Sequence, residues 1–171
     1  SSASMWTTRY HVRDTADVIK EIEYYHKKYK IDQVDFYDLT AIINKKWFIE
    51  FAETLASKNW NIMYSLPSGT RSEALDGSVT ALMSKTNCNY LVYAAESGSK
   101  RILKLIKKKI NLDTMLKSMK SAKKNGMSLR CNLMIGFPFE KRLDVLKTII
   151  FQMKLAFHGV DDAALYMFAP Y

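Results

Sequence analysis

The chain has 171 residues, 48% of them hydrophobic, and a formal net charge of +9, enough to bury one sizeable core and close to the usual size of one domain. No apolar run approaches the roughly 18 residues of a membrane span, no charged start leads into an apolar core with a small-residue cleavage site, and two cysteines with three histidines give neither a disulfide framework nor clustered metal-ligand spacing. The expectation is one domain spanning residues 1–171, in the cytoplasm, with Cys88 and Cys131 as reduced, buried small hydrophobes.

Asp14 predicts the cap of a first helix whose inward stripe is Val18, Ile22 and Tyr25. Val34 to Tyr37 reads as a short strand, and Asn44 caps a second helix with Trp47, Phe51 and Leu55 on one face. Asn61 to Leu66 is the next strand. A turn at Pro67-Ser68-Gly69 leads into a weaker helix around Asp76 to Met83, followed by the apolar strand at Tyr90. A lysine-rich helix or helix pair ends at Asn125-Gly126, and Ser128 to Ile135 is the fourth strand. Arg142 to Phe157 repeats Leu146, Ile149, Ile150, Met153 and Phe157 as an amphipathic helix, and Ala163 to Phe168 supplies a fifth strand. The lysines between Lys100 and Lys124 alternate with Ile102, Leu105, Ile106, Leu116 and Met119, the pattern of helices with solvated basic faces, and this reading is preferred to a nucleic-acid surface.

Strands alternate with helices and no tight two-residue hairpin joins any two strands, so the strands are expected to be parallel and joined by right-handed crossovers. That leaves a barrel or an open doubly wound sheet. No Gly-x-Gly-x-x-Gly turn follows a strand, and polar groups are spread over several strand ends, which favours an α/β barrel wall with a site at its mouth. The candidates lie where strands stop. Tyr37, Asp38 and Thr40 lie at the end of the first, Glu96 and Ser97 end the third, Asn132 and Met134 lie in the last half of the fourth with Gly136 directly after it, and Phe168 ends the fifth. Read from the residues alone, Asp38 can terminate the strand or cap a turn and Glu96 can complement a helix N-terminus. Asn132 in a strand suggests a polar ligand, Gly136 a turn with special backbone, and Met134 plain core.

The ordered set Ser4-Met5-Trp6-Thr7-Thr8-Arg9-Tyr10, Asp35-Phe36-Tyr37-Asp38-Leu39-Thr40, Leu66-Pro67-Ser68-Gly69-Thr70-Arg71, Glu96-Ser97-Gly98-Ser99, Lys107-Lys108-Lys109, Gly136-Phe137-Pro138 with Glu140, and Phe168-Ala169-Pro170-Tyr171 resembles the radical S-adenosylmethionine (SAM) superfamily. Within it the resemblance is to proteins that often carry a cobalamin-binding domain. It implies a partial (β/α)6 TIM-like barrel and a SAM-binding role for Tyr37, Asp38, Thr40, Glu96, Ser97, Asn132, Met134, Gly136 and Phe168. It also implies a [4Fe-4S] cluster whose Cys-x3-Cys-x2-Cys loop, with the first strand, lies upstream of Ser1. The implied activity is reductive cleavage of SAM to a 5′-deoxyadenosyl radical acting on a small molecule of unknown identity, with cobalamin as a candidate cofactor; composition and charge pattern, and not the resemblance, point away from a membrane partner and disfavour nucleic acid. The missing segment of the same protein is then a required partner, and this piece alone is expected to be inactive because Cys88 and Cys131, on different elements, cannot replace three closely spaced thiolates. Two other readings stay open, an inactive barrel serving as a binding module and a basic RNA-modifying domain.

Overall fold

The computed structural model describes residues 11–38, 42, 44–70 and 75–169, and Thr40 falls outside them. In chain order the elements are α1 (Thr15–Tyr29), β1 (Gln33–Asp35), α2 (Lys45–Ser57), β2 (Met63–Thr70), α3 (Gly77–Lys85), β3 (Cys88–Glu96), α4 (Lys100–Leu105), α5 (Leu112–Lys124), β4 (Ser128–Ile135), α6 (Arg142–Phe157) and β5 (Asp162–Met167). All four strand pairings are parallel and the order is β1-β2-β3-β4-β5. An order without reversal means that each right-handed crossover lays its helix on the same face of the sheet. The sheet is therefore a barrel wall and not a doubly wound sheet, whose order reverses at a switch point. Among the described residues, no helix is long and apolar enough to cross a membrane.

Helices α1, α2, α3 and α5 start where short polar side chains satisfy their first amides. Asp14 accepts from Ala16 N at 2.8 Å, Asn44 from Trp47 N at 3.2 Å, Asp76 from the amides of Ser78 and Val79, and Asn111 from those of Asp113 and Thr114. The core lies between sheet and helices. Leu91, Tyr93 and Ala95 of β3 and Leu129, Cys131 and Leu133 of β4 are buried there, in the alternation a strand dictates. The buried phenols are satisfied, Tyr93 with Ser118 of α5 at 2.9 Å and Tyr64 with Thr86 at 3.0 Å, and burial pushes both phenol pKa values well up. Phe51 of α2 stacks on Trp47 and meets Phe36 and Tyr64 edge-on, contacts that add about 1 kcal/mol each beyond burial.

The structure departs from the sequence reading in four places. Strand β1 stops at Asp35, so Phe36, Tyr37 and Asp38 form the segment that leaves it. Strand β2 runs on to Thr70, and the expected turn at Pro67-Ser68-Gly69 lies inside it, within an irregular stretch of the pairing with β3 where proline's missing N–H is tolerated. Tyr25 is exposed, with Val18, Ile19 and Ile22 forming the buried stripe of α1. Helix α6 is turned over: Leu146, Ile149, Ile150, Met153 and Phe157 are exposed, Phe157 to 86%, whereas Asp144, Thr148, Phe151 and Leu155 are buried.

Candidate functional site

Parallel pairing brings all five carboxyl ends to one rim, the usual place for a ligand in this class of sheet. At β1, the Tyr37 carbonyl accepts from Ser68 Oγ of β2 at 3.0 Å, while the side chains of Tyr37 and Asp38 are exposed. One turn lower, Asp35 Oδ1 accepts from Ser65 Oγ at 2.6 Å and from Gln33 Nε2 at 2.8 Å. A cleft of about 450 Å³ opens between α1, α2 and the outer edge of β1. Tyr37 and Asp38 reach it, over a floor that includes Ile22, Val34, Phe36 and Phe51, whereas Glu96, Asn132, Met134 and Phe168 do not line it.

Strand β3 ends in an unusual backbone. Glu96 has φ +63°, and Ser97 N donates to Ala95 O at 2.8 Å, closing a three-residue turn centred on Glu96. The Glu96 carboxylate accepts from Lys108 Nζ at 3.0 Å, both side chains being partly exposed. Lys108 arrives there because α4 ends in a Schellman motif. Lys107 takes the left-handed conformation usually given to glycine, its N–H bonds to Lys104 O, and Lys108 N bonds to Leu103 O at 2.9 Å. The Lys107-Lys108-Lys109 triplet was recognisable in sequence, but its pairing with Glu96 was not.

Ser97 is fully buried, its hydroxyl 3.0 Å from Thr148 Oγ1 of α6. Ser99 Oγ donates to Asp144 Oδ1 at 2.6 Å, and Arg101 forks onto the Asp144 carboxylate and Phe139 O. The Arg101 guanidinium, and after it the Ser99 hydroxyl, hold the Asp144 carboxyl well below the usual carboxylate range. Gly98 does not take a left-handed φ. Its role is space, since a Cβ there would stand 2.4 Å from Lys147 O and 2.6 Å from Phe151 Cβ.

On β4, Asn132 lies between Ala94 of β3 and Ala164 of β5 in the ladder, and its buried Oδ1 has no partner among the described residues. Met134 pairs in register with Tyr166 and is partly buried. Gly136 has φ +91°, and its N–H donates to Glu140 Oε2 at 2.6 Å, leaving Glu140 Oε1 buried without a partner among the described residues. Phe168 N donates to Ile135 O at 2.8 Å and its ring lies 5.0 Å from that of Phe137, closing the rim. Two orphaned acceptor oxygens and a lysine–glutamate pair make this rim ready for a ligand with both charges and several donors. Cys88 and Cys131 do not suit metal binding: both are buried, burial pushes their thiols up to about 12, and among the described residues no three His, Cys, Asp or Glu come together.

The model of the radical SAM superfamily matches residues 2–151. An uncharacterized methyltransferase of Pyrococcus horikoshii is 30% identical over 171 residues, all of this chain and 36% of that protein. Cytidylyl-2-hydroxyethylphosphonate methyltransferase of Streptomyces wedmorensis is 29% identical over 141 residues, 81% of this chain and 26% of its own length. Among solved structures, the radical SAM methyltransferase TsrM from Kitasatospora setae superposes with a TM-score of 0.80 at 12% identity, covering 94% of this chain and 31% of that one. The cobalamin-dependent SAM radical enzyme OxsB superposes at 0.70 and 14% identity, over 81% and 22%. At such identity the likeness is one of fold, and it bears out the partial barrel expected from the sequence. The chain spans well under half the length of these proteins.

Proposed function

Since this chain belongs to the radical SAM superfamily, we propose that it is the SAM-holding wall of a methyl-transferring radical SAM enzyme that acts on a small molecule. The observation that carries the reading is the Glu96–Lys108 pair at the tip of the central strand. Glu96 accepts the ribose hydroxyls, and Lys108 offers donors to the methionyl carboxylate while neutralising Glu96. Asp38, with the main chain after Tyr37 and with Thr40, takes the methionyl ammonium. Asn132 Oδ1 accepts from the adenosyl part, beside Met134, Gly136 and the main chain at Phe168. Ser97 contributes by fixing the turn that carries Glu96. The protein's share of the chemistry is thus to bind, orient and keep water out.

Because Cys88 and Cys131 do not fit a cluster, its thiolates are assigned to parent sequence outside these 171 residues. When bound and given one electron by the reduced cluster, SAM would break its C5′–S bond to yield methionine and a 5′-deoxyadenosyl radical, or it would give up its methyl group and leave S-adenosylhomocysteine; cobalamin is proposed as the methyl carrier because the structural neighbour TsrM, a methyltransferase, is solved with cobalamin and a [4Fe-4S] cluster bound. The free thiols are in keeping with a reducing cytoplasm. The test uses the full-length protein, purified anaerobically and incubated with reductant and SAM. Formation of 5′-deoxyadenosine or S-adenosylhomocysteine is expected, and failure to bind SAM by calorimetry together with absence of both products would overturn the reading.

A further inference from the structure

The turn after β3 is tied to α6 by a chain of hydrogen bonds whose directions can be assigned. Thr148 Oγ1 donates to Asp144 O at 3.1 Å, which uses its only proton. It must therefore accept from Ser97 Oγ at 3.0 Å and from Gly98 N at 3.2 Å. Ser97 Oγ, having donated, accepts from Ser99 N at 3.1 Å, and Ser99 Oγ donates to Asp144 Oδ1. Ser97, Ser99 and Thr148 are fully buried and Asp144 nearly so, yet each of the three hydroxyls spends its proton inside the chain and none of the four side chains is left without a partner. A satisfied buried network of this kind specifies one arrangement. Gly98 lets the turn approach until it touches the α6 backbone at Lys147.

Directly before this anchored turn stands Glu96, in a left-handed conformation that a glutamate rarely adopts and that persists only where its surroundings over-determine it. The neighbours that impose it are Ser97, Gly98 and Ser99, and what holds them is α6. We infer that Thr148 and Asp144 are positioning residues for SAM binding: through Ser97 and Ser99 they hold the Glu96 carboxylate on the rim beside Lys108, and they set SAM affinity without touching SAM. This rests on the reading that Glu96 holds SAM.

The experiment is a mutant cycle on the full-length protein without reductant, with the SAM dissociation constant measured by calorimetry and folding of each variant checked by circular dichroism. Glu96→Gln is expected to weaken SAM binding about 10-fold or more, and an unchanged affinity would sink the reading of the site itself. Thr148→Val is expected to weaken binding by a similar factor when Glu96 is present and to have little further effect in the Glu96→Gln background, with Thr148→Ser retaining affinity. Equal losses in both backgrounds, or no loss in a folded Thr148→Val protein, would overturn the positioning role while leaving the site reading intact. If Thr148→Val fails to fold, Ser99→Ala, which cuts the same chain at the Asp144 end, takes its place in the cycle with the same expectations.

Discussion

Replacing Gly98 by alanine should be among the most damaging single-methyl additions in this chain. Its Cβ would sit 2.4 Å from Lys147 O and 2.6 Å from Phe151 Cβ, whereas ordinary contact begins near 3.4 Å, so the turn and α6 must separate by about 1 Å. Neither side is a flexible tip: one is helix backbone, and the other is the root of a buried phenylalanine. Overpacking of this kind costs about 1 to 3 kcal/mol, and the separation also lengthens the Gly98 N to Thr148 and Ser97 to Thr148 bonds, each worth about 1 kcal/mol. A loss of about 3 kcal/mol is expected, or roughly 6 to 12 °C in Tm for a chain of this size. Urea unfolding followed by circular dichroism measures it. The comparison is Gly126→Ala, where nothing lies within 4 Å but φ is +82°, so only a backbone cost of about 1 kcal/mol applies. If Gly98→Ala lost no more stability than Gly126→Ala, the close approach of turn and helix would be wrong.

Three further outcomes follow from the same structure. Leu155→Ala should cost about 2 to 5 kcal/mol because Leu155 is fully buried, whereas Ile150→Lys on the exposed face should change stability by less than about 0.5 kcal/mol; the reverse ranking in urea melts would mean α6 is turned the other way. Asp144 has its pKa lowered by Arg101 and then Ser99, so its contribution is complete above the ordinary carboxylate pKa of about 4 and erodes as pH falls below it. The urea midpoint of the unsubstituted protein should therefore fall more steeply between about pH 5 and about pH 3 than that of Asp144→Asn, and equal slopes would contradict the ion pair. Burial pushes both thiols up to about 12, so iodoacetamide at about pH 8 should leave the native protein unlabelled and modify Cys88 and Cys131 only in urea, as mass spectrometry would read.

The alternation of strands and helices, the caps at Asp14 and Asn44, and the limits of β4 and α6 were all legible in the order of residues, because these depend on groups a few residues apart. That order also put Glu96 at the end of β3 and Gly136 directly after β4, because the apolar runs that precede them stop there. Which way α6 faces was set by long-range packing. Periodicity marks an apolar stripe on that helix, but the inward face is the one whose Asp144 and Thr148 find Ser99 and Ser97, 45 and 51 positions away in the chain. The same holds for Gly98, whose local pattern suggests a flexible turn while the neighbour that excludes a side chain belongs to another helix. Lys108 and Glu96 are only 12 residues apart, yet their meeting depends on how α4 ends, in a left-handed lysine where a glycine would have been the visible signal. Local spacing fixes what an element is, and the partners that satisfy its buried groups fix where it points.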